Sequence, residues 1–243
     1  MTKFNYSIII PCYNESKNIP MVLESFAGCM DRDDLEVLLV NNGSTDDSNE
    51  VLLKYLPDYT FARSVHVPVN RGYGYGVRAG LKEARGNFLG WTHADMQTDP
   101  SDVLRACDII EKHDCPSHIM VKGYRVARNL PDRTFSGCMG LIESVLFGLR
   151  LTEINAQPNL FHKDFLSKWQ NPPDDFSLDL YCLVLAKKLR LKIIRFDVLF
   201  PERVNGESSW NTNFKSKVVA IFRTLSFSFQ LRARLRHFAG SKF

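Results

Sequence analysis

The stretch Tyr6-Ser-Ile-Ile-Ile-Pro-Cys-Tyr-Asn-Glu-Ser16 decides the fold. Ser7–Pro11 is an apolar run of strand length that Pro11 closes. Tyr13, Asn14 and Glu15 then open a loop ahead of the helical pattern Ile19–Met30. A buried-strand run, a turn, and apolar residues at helical spacing make the start of a βαβ unit. Outward from it, strand-length runs recur at Glu36–Asn41, Ser64–Val69 and Asn87–His93, with helical patterns at Asp47–Leu56 and Gly74–Arg85 between them. The predicted class is therefore α/β, a Rossmann-like, mostly parallel sheet flanked by helices. Later elements are predicted at Asp102–Lys112 (helix), His118–Val126 (strand), Phe135–Leu149 (apolar helix), Asn159–His162 (short strand), Asp175–Leu189 (helix) and Lys192–Leu199 (strand). With a buried strand already at Tyr6, no secretory leader is expected. No apolar run reaches the roughly 18 residues of a transmembrane helix.

The 243 residues are 44% hydrophobic and 24% charged, a balance that excludes disordered and collagen-like chains. Six scattered cysteines without a C-x-x-C spacing argue against a disulfide framework or zinc ribbon and for reduced thiols in the cytoplasm. The charge is unevenly placed. After Glu207 there are seven Lys/Arg and no acid, so the tail carries +7 of the overall +4 and residues 1–207 carry −3. The partition is a domain over 1–210 and a basic amphipathic helical tail over 211–243.

Ligands of parallel α/β sheets gather at the carboxyl ends of the strands. Four segments lie there: Pro11–Glu15, Asn41–Asp46, Asn70–Gly76 and His93–Asp99. In Trp91-Thr-His-Ala-Asp-Met-Gln-Thr-Asp-Pro100, a persisting strand would place His93, Asp95 and Gln97 on one side. One carboxylate, an amide oxygen and an imidazole suit a divalent cation that arrives with a diphosphate. Asp99, before Pro100, is better explained as a helix cap. Tyr13 and Glu15 suit a base and ribose. Asn42-Gly43 makes a turn, with Ser44, Thr45 or Asp46 as the next cap. In Asn70-Arg-Gly-Tyr-Gly-Tyr-Gly76 the glycines allow backbone N–H groups to approach phosphate. The G-x-G-x-G spacing, after the third strand, does not fit a dinucleotide fingerprint.

In combination, Ile10-Pro-Cys-Tyr-Asn-Glu15, Val40-Asn-Asn-Gly-Ser-Thr-Asp46, Asn70-Arg-Gly-Tyr-Gly74 and His93-Ala-Asp-Met-Gln97 resemble the family 2 glycosyltransferases with the GT-A fold. Asn155-Ala-Gln-Pro-Asn-Leu-Phe161 and Phe200-Pro-Glu-Arg-Val-Asn-Gly-Glu-Ser-Ser-Trp210 bring the resemblance to the polyprenyl-phosphate (dolichyl-phosphate) mannose synthase group. It implies a nucleotide site of Pro11, Tyr13, Glu15, Asn42 and Arg71. It further implies Asp95 as catalytic and metal-binding, Gln97 and His93 as further metal ligands, and Mg²⁺ or Mn²⁺ as cofactor. His93 replaces the first Asp of D-x-D-x-Q, and Asn42 replaces the Asp that usually reads the base. Asp179 stands where many relatives carry the candidate base. The implied chemistry is inverting transfer from a GDP- or UDP-linked sugar.

A phosphate acceptor is already anionic and needs cations, whereas a hydroxyl acceptor needs a base. Arg125 and Arg203, with Ser208, are candidates for an acceptor phosphate, and Arg128 and Arg133 lie close by in sequence. The tail interleaves Val218, Ile221, Phe222, Leu225, Phe227 and Phe229 with basic residues, which suits an anionic membrane surface. The leading expectation is a cytoplasmic, peripherally membrane-bound enzyme moving a sugar onto a polyprenyl phosphate. A saccharide hydroxyl acceptor, as in lipopolysaccharide, capsule or glycan synthesis, is the alternative. A non-catalytic nucleotide-sugar module is the third reading, and retention of Asp95 and Gln97 argues against it. No nucleic-acid partner is expected.

Overall fold

In the computed structural model, which describes residues 4–128, 130–201 and 214–238, the opening stretch forms strand β1, Tyr6–Cys12, buried except at Pro11. It lies between β2 (Leu35–Asn42) and β4 (Phe88–Trp91) and is parallel to both. A strand paired on both edges and covered on both faces leaves no position for a solvated side chain, which is why three isoleucines run consecutively. The strand continues one residue past Pro11. The Ile9 carbonyl accepts from Thr92 N–H on the β4 side. Pro11 faces that same side beyond the end of β4, so its missing N–H breaks no ladder bond.

Strand β3 (Ala62–Val67) flanks β2, while β6 (Asn159–His162), β5 (Ile119–Val126) and β7 (Lys192–Leu199) lie beyond β4. The order is β3-β2-β1-β4-β6-β5-β7. Among these seven, β6 runs antiparallel to both β4 and β5, and β7 is parallel to β5. The ends of β1, β2, β4, β5 and β7 therefore share one edge, where ligands of such sheets are held.

Helices α1 (Asn18–Cys29), α2 (Ser48–Tyr55) and α4 (Pro100–Glu111) cover one face over Ile8, Ile10, Leu23, Phe26, Leu52 and Ile110. Helices α3 (Tyr73–Glu83) and α7 (Leu178–Lys188) cover the other over Ile9, Val77, Trp91, Phe161 and Leu183. Helix α5 (Leu130–Phe147) adds Leu146 and Phe147 to this second core, and helix α8 (Phe214–Phe238) adds Leu231. The two are joined where Ser228 Oγ donates to the buried Glu143 Oε1 at 2.9 Å. Burial pushes the Glu143 carboxyl up. Helix α6 (Lys163–Leu166) is a single turn after β6.

Two boundaries differ from expectation by three residues or more. Helix α5 starts at Leu130, five residues before the apolar run, and Pro131 sits in its first turn, where no N–H is needed. Helix α7 starts at Leu178, because the Asp175 carboxylate is engaged by Ser177 N–H at 2.9 Å in the turn ahead of it.

The sheet also touches backbone to backbone at Gly123. Its N–H donates to Pro158 O at 3.0 Å. A Cβ there would overlap the carbonyl of Gln157. Gly123→Ala is expected to lower stability by about 3 kcal/mol in urea titration; an unshifted midpoint would contradict this packing.

Candidate active site

The loops after β1 and β2 are laced into one unit. Asn14, at φ 57°, accepts Thr45 N–H at 2.8 Å, and its Nδ2 donates to Thr45 Oγ1 at 3.2 Å. Ser48 Oγ accepts Glu15 N–H at 3.0 Å, and Asp46 Oδ2 accepts Ser16 N–H at 3.2 Å. Asp46 also takes Ser48 N–H at 3.1 Å, so of the three cap candidates it is Asp46 that binds the start of α2. Burial pushes its carboxyl up, yet the Ser48 and Ser16 hydrogen bonds outweigh this and hold it low. Above this frame Tyr13 is 44% exposed, and the Glu15 carboxylate accepts Asn18 Nδ2 at 2.5 Å. An open aromatic beside a fixed carboxylate suits a nucleoside.

Asn42, at the end of β2, is buried. Its Nδ2 donates to Gly72 O at 2.9 Å and to Asn70 Oδ1 at 3.3 Å. A carbonyl partner fixes which way the amide faces. Asn42 thus straps the Asn70–Gly72 turn to β2. Its Oδ1 is closed from solvent and lacks a hydrogen-bond partner.

The glycine-rich turn departs from the phosphate-cradle expectation. A Cβ on Gly72 would overlap Asp174 O, and one on Gly74 would overlap Pro173 O. Tyr75 N–H donates to Asp174 O at 3.0 Å. These glycines let the 172–175 segment lie directly on the start of α3. The Asp174 carboxylate pairs with Arg78 and lies 3.9 Å from Arg71. Arg71 also stacks 4.1 Å over the Tyr75 ring, and its side chain is 57% exposed.

β4 ends at Trp91 and the chain turns sharply, with Met96 at φ 60°. The extended geometry that would have put His93, Asp95 and Gln97 on one side therefore does not persist. Asp95 is 4% exposed and its Oδ1 accepts Gln97 N–H at 3.2 Å. Gln97 Nε2 donates to Pro201 O at 2.8 Å. His93 stacks on Tyr73, with centroids 6.1 Å apart. Asp99 is a cap, its Oδ1 accepting Ser101 N–H at 2.8 Å. Among the described residues, no three His, Cys, Asp or Glu side chains gather around one point. A carboxylate and an amide oxygen on one short turn fit a hard dication shared with a diphosphate, and do not fit an all-protein cage.

Below this turn lies a buried polar row. Trp91, Asn159 and Lys122 stand opposite one another across β4, β6 and β5. All meet Asp179, in the first turn of α7. Its Oδ1 accepts from Asn159 Nδ2 at 2.9 Å, Gln157 Nε2 at 3.0 Å and Trp91 Nε1 at 3.2 Å, with Lys122 Nζ at 3.9 Å. Asp179 is 3% exposed and Lys122 is 0% exposed. Gln157 Nε2 also reaches Tyr73 Oη at 3.2 Å. Burial, and then the Asp179 charge, push the Tyr73 phenol well up. Lys122 was missed in the sequence, although a lysine inside the apolar run Ile119-Met-Val-Lys-Gly123 was a visible signal.

Past the end of β5 a cavity of about 860 Å³ opens between α5 and the 148–153 turn. Arg125, Arg128, Arg133 and Arg150 line it, with Glu153 as its one acid. Glu153 takes Arg125 Nε at 2.6 Å and Arg128 Nη1 at 3.3 Å. Arg195 donates to the backbone carbonyls of Gly123, Thr152 and Glu153. Arg125 also packs 5.2 Å from the Phe200 ring, so the 200–201 segment touches both this cavity and Gln97. The sequence candidates Arg203 and Ser208 lie outside the described residues.

The model of the family described as "Glycosyl transferase family 2" matches residues 7–162, which contain the first three strand-end loops, the Asp95 turn and Arg125. The chain belongs to this family. An undecaprenyl-phosphate 4-deoxy-4-formamido-L-arabinose transferase of Pectobacterium carotovorum is 33% identical over 213 residues, covering 85% of this chain and 63% of the relative. A dolichyl-phosphate beta-glucosyltransferase of Trichomonas vaginalis is 26% identical over 223 residues, 81% of this chain and 65% of the relative. The chain thus spans somewhat less than two thirds of these relatives' length. The fold matches glucosyl-3-phosphoglycerate synthase of Mycobacterium tuberculosis, solved with Mn²⁺, UDP and glucosyl-3-phosphoglycerate. The TM-score is 0.72 at 18% identity, over 94% of this chain and 80% of that one. This family member therefore has the GT-A fold.

Proposed function

We propose that this family 2 member is an inverting glycosyltransferase that moves a sugar from a nucleotide-diphosphate sugar to a polyprenyl phosphate at a membrane. The observation that carries the acceptor reading is the cavity with four arginines against one glutamate, linked through residues 200–201 to the Asp95 turn. An anionic nucleophile needs such cations and no base. Asp179, the candidate base, is buried under three N–H donors, which suits positioning better than removing a proton from a sugar hydroxyl. The similarity to relatives named for dolichyl and undecaprenyl phosphate supports the same acceptor class.

In this reading Tyr13 and Glu15 hold the nucleoside, Pro11 and Asn42 shape the floor beneath it, and Arg71 closes its phosphate side. Arg125, Arg128 and Arg133 hold the acceptor phosphate. An acceptor oxygen forms a bond to the anomeric carbon, the bond to the donor's β-phosphate breaks, and its electron pair leaves with the nucleoside diphosphate. Configuration at the carbon inverts. Asp95, with Gln97 and His93, would hold Mg²⁺ or Mn²⁺, whose chemistry is to neutralise charge on the departing diphosphate.

No helix among the described residues is long and apolar enough to cross a membrane. Helices α5 and α8 leave Leu141, Val145, Phe222 and Phe229 exposed, and Arg223 and Arg234 are exposed on α8. Apolar side chains among arginines favour peripheral attachment to the anionic cytoplasmic face. The double substitution Phe222→Glu with Phe229→Glu is expected to release the protein from phosphatidylglycerol vesicles in a flotation assay. Retention of both variant and wild type on the vesicles would remove α8 from the contact.

The function is tested by turnover with GDP- and UDP-sugars, with and without undecaprenyl or dolichyl phosphate, under Mg²⁺ or Mn²⁺. Product formed only with the lipid phosphate is expected. Transfer only to a saccharide hydroxyl would overturn the acceptor assignment.

A further inference from the structure

We propose that Lys122 is a positioning residue of the transfer site, its ammonium group seating the Asp179 carboxylate and, through Trp91 and Gln157, the β4 end that carries Asp95. Only its catalytic consequence rests on the glycosyltransferase reading above. The geometry is that of a built counter-charge. Lys122 lies in the middle of β5 with no exposure, and Nζ donates to Ala156 O and Asn159 Oδ1, each at 2.6 Å. The remaining direction faces Asp179 Oδ1 at 3.9 Å. A lysine needed for packing alone would be replaced at lower cost by a Leu or Met, since burying an ammonium is unfavourable.

The register explains what the charge acts on. Lys122, Asn159 and Trp91 form one row across three strands, and all three direct donors at one carboxylate oxygen. Trp91 is the last residue of β4, and Thr92 follows it into the turn bearing His93, Asp95 and Gln97. Gln157 joins the same oxygen to Tyr73, which stacks on His93. Other ionisable groups that act on Lys122 are Cys182 on α7, Arg195 on β7 and Arg125 on β5. Burial pushes the Lys122 ammonium down to about 7, with Arg195 and Arg125 adding to this and Asp179 opposing it. Lys122 therefore changes charge in the neutral range.

The test has two arms. In protein labelled with ¹⁵N-tryptophan, the Trp91 indole N–H resonance, assigned by Trp91→Phe, should move through a titration step near neutral pH. In Lys122→Met that step should vanish with the circular dichroism spectrum unchanged. A step that persists overturns the proposal. Should Lys122→Met fail to fold, the double variant Lys122→Met with Asp179→Asn, which removes both charges together, carries the same reading. In the second arm, kcat of Lys122→Met should fall by about tenfold or more, with the donor KM within about threefold of wild type. The wild-type decline of kcat as Lys122 loses its proton should be absent from the variant. An unchanged pH profile, or a change confined to KM, overturns the positioning role. Absence of transfer in the wild type would count against the transferase reading, while the indole titration still decides the role of Lys122.

Discussion

Asp95→Asn is expected to reduce sugar transfer by about three orders of magnitude or more, with the fold intact. The replacement is nearly isosteric. Asp95 Oδ1 accepts the Gln97 N–H at 3.2 Å, and an asparagine oxygen can accept the same bond, so the turn has no reason to open. What is lost is the negative charge that, in the proposed site, would hold the cation with Gln97 and His93. His93 adds no negative charge, and Gln97 is neutral, so no neighbour on the turn replaces it. A full D-x-D pair keeps one carboxylate after a single loss; this turn has only one carboxylate between 92 and 98. The measurement is kcat/KM under saturating Mg²⁺ or Mn²⁺, with thermal unfolding to verify the fold. Near-wild-type turnover would remove Asp95 from the metal site, and with it the mechanism.

That turn also shows how far a sequence can be read. The strand Phe88–Trp91 and the loop chemistry after it were legible, because a buried parallel strand writes itself as consecutive apolar residues and its end as Asp, Gln and Pro. The side-chain directions were not, because Met96 takes a left-handed backbone that breaks the period of two. The same divide separates Asp99 from Asp174. A cap is a local bond, read from Asp99 before Pro100. The Asp174 ion pairs reach Arg71 and Arg78, about a hundred positions away, and such pairings leave no local pattern. The glycines of 72–76 carried a signal of close backbone approach, but what approaches is the 172–175 segment, decided by tertiary packing. Lys122 is the fullest case. It breaks the apolar pattern of β5 visibly, yet its meaning depends on a register of three strands and a helix that no single segment encodes.

Asp179→Asn is expected to be the most destabilising isosteric change in the site, and its cost should depend on pH. The three N–H donors of Trp91, Gln157 and Asn159 can still meet an asparagine oxygen. Lys122 then keeps only neutral acceptors, Ala156 O and Asn159 Oδ1. A buried ammonium that has lost its counter-charge sheds its proton more readily, so the cost is set by how strongly the folded lysine is held charged at the working pH. The sign follows from Lys122. Burial holds its folded-state pKa near 7, against about 10.4 in an unfolded chain. Between those values the unfolded state binds more protons, so wild-type stability rises with pH through that window. Below about pH 7 the folded lysine is charged and Asp179 offsets it, so losing the carboxylate there costs most. By about pH 9 the folded lysine is neutral, and the carboxylate is then the group without a counter-charge. The deficit of the variant should therefore be larger at pH 6 than at pH 9 by about 1 kcal/mol, close to the most that a folded pKa near 7 allows over that interval, read as urea midpoints at constant ionic strength. Equal deficits at the two pH values would mean that Lys122 does not titrate in this range and that the row is held by hydrogen bonds alone.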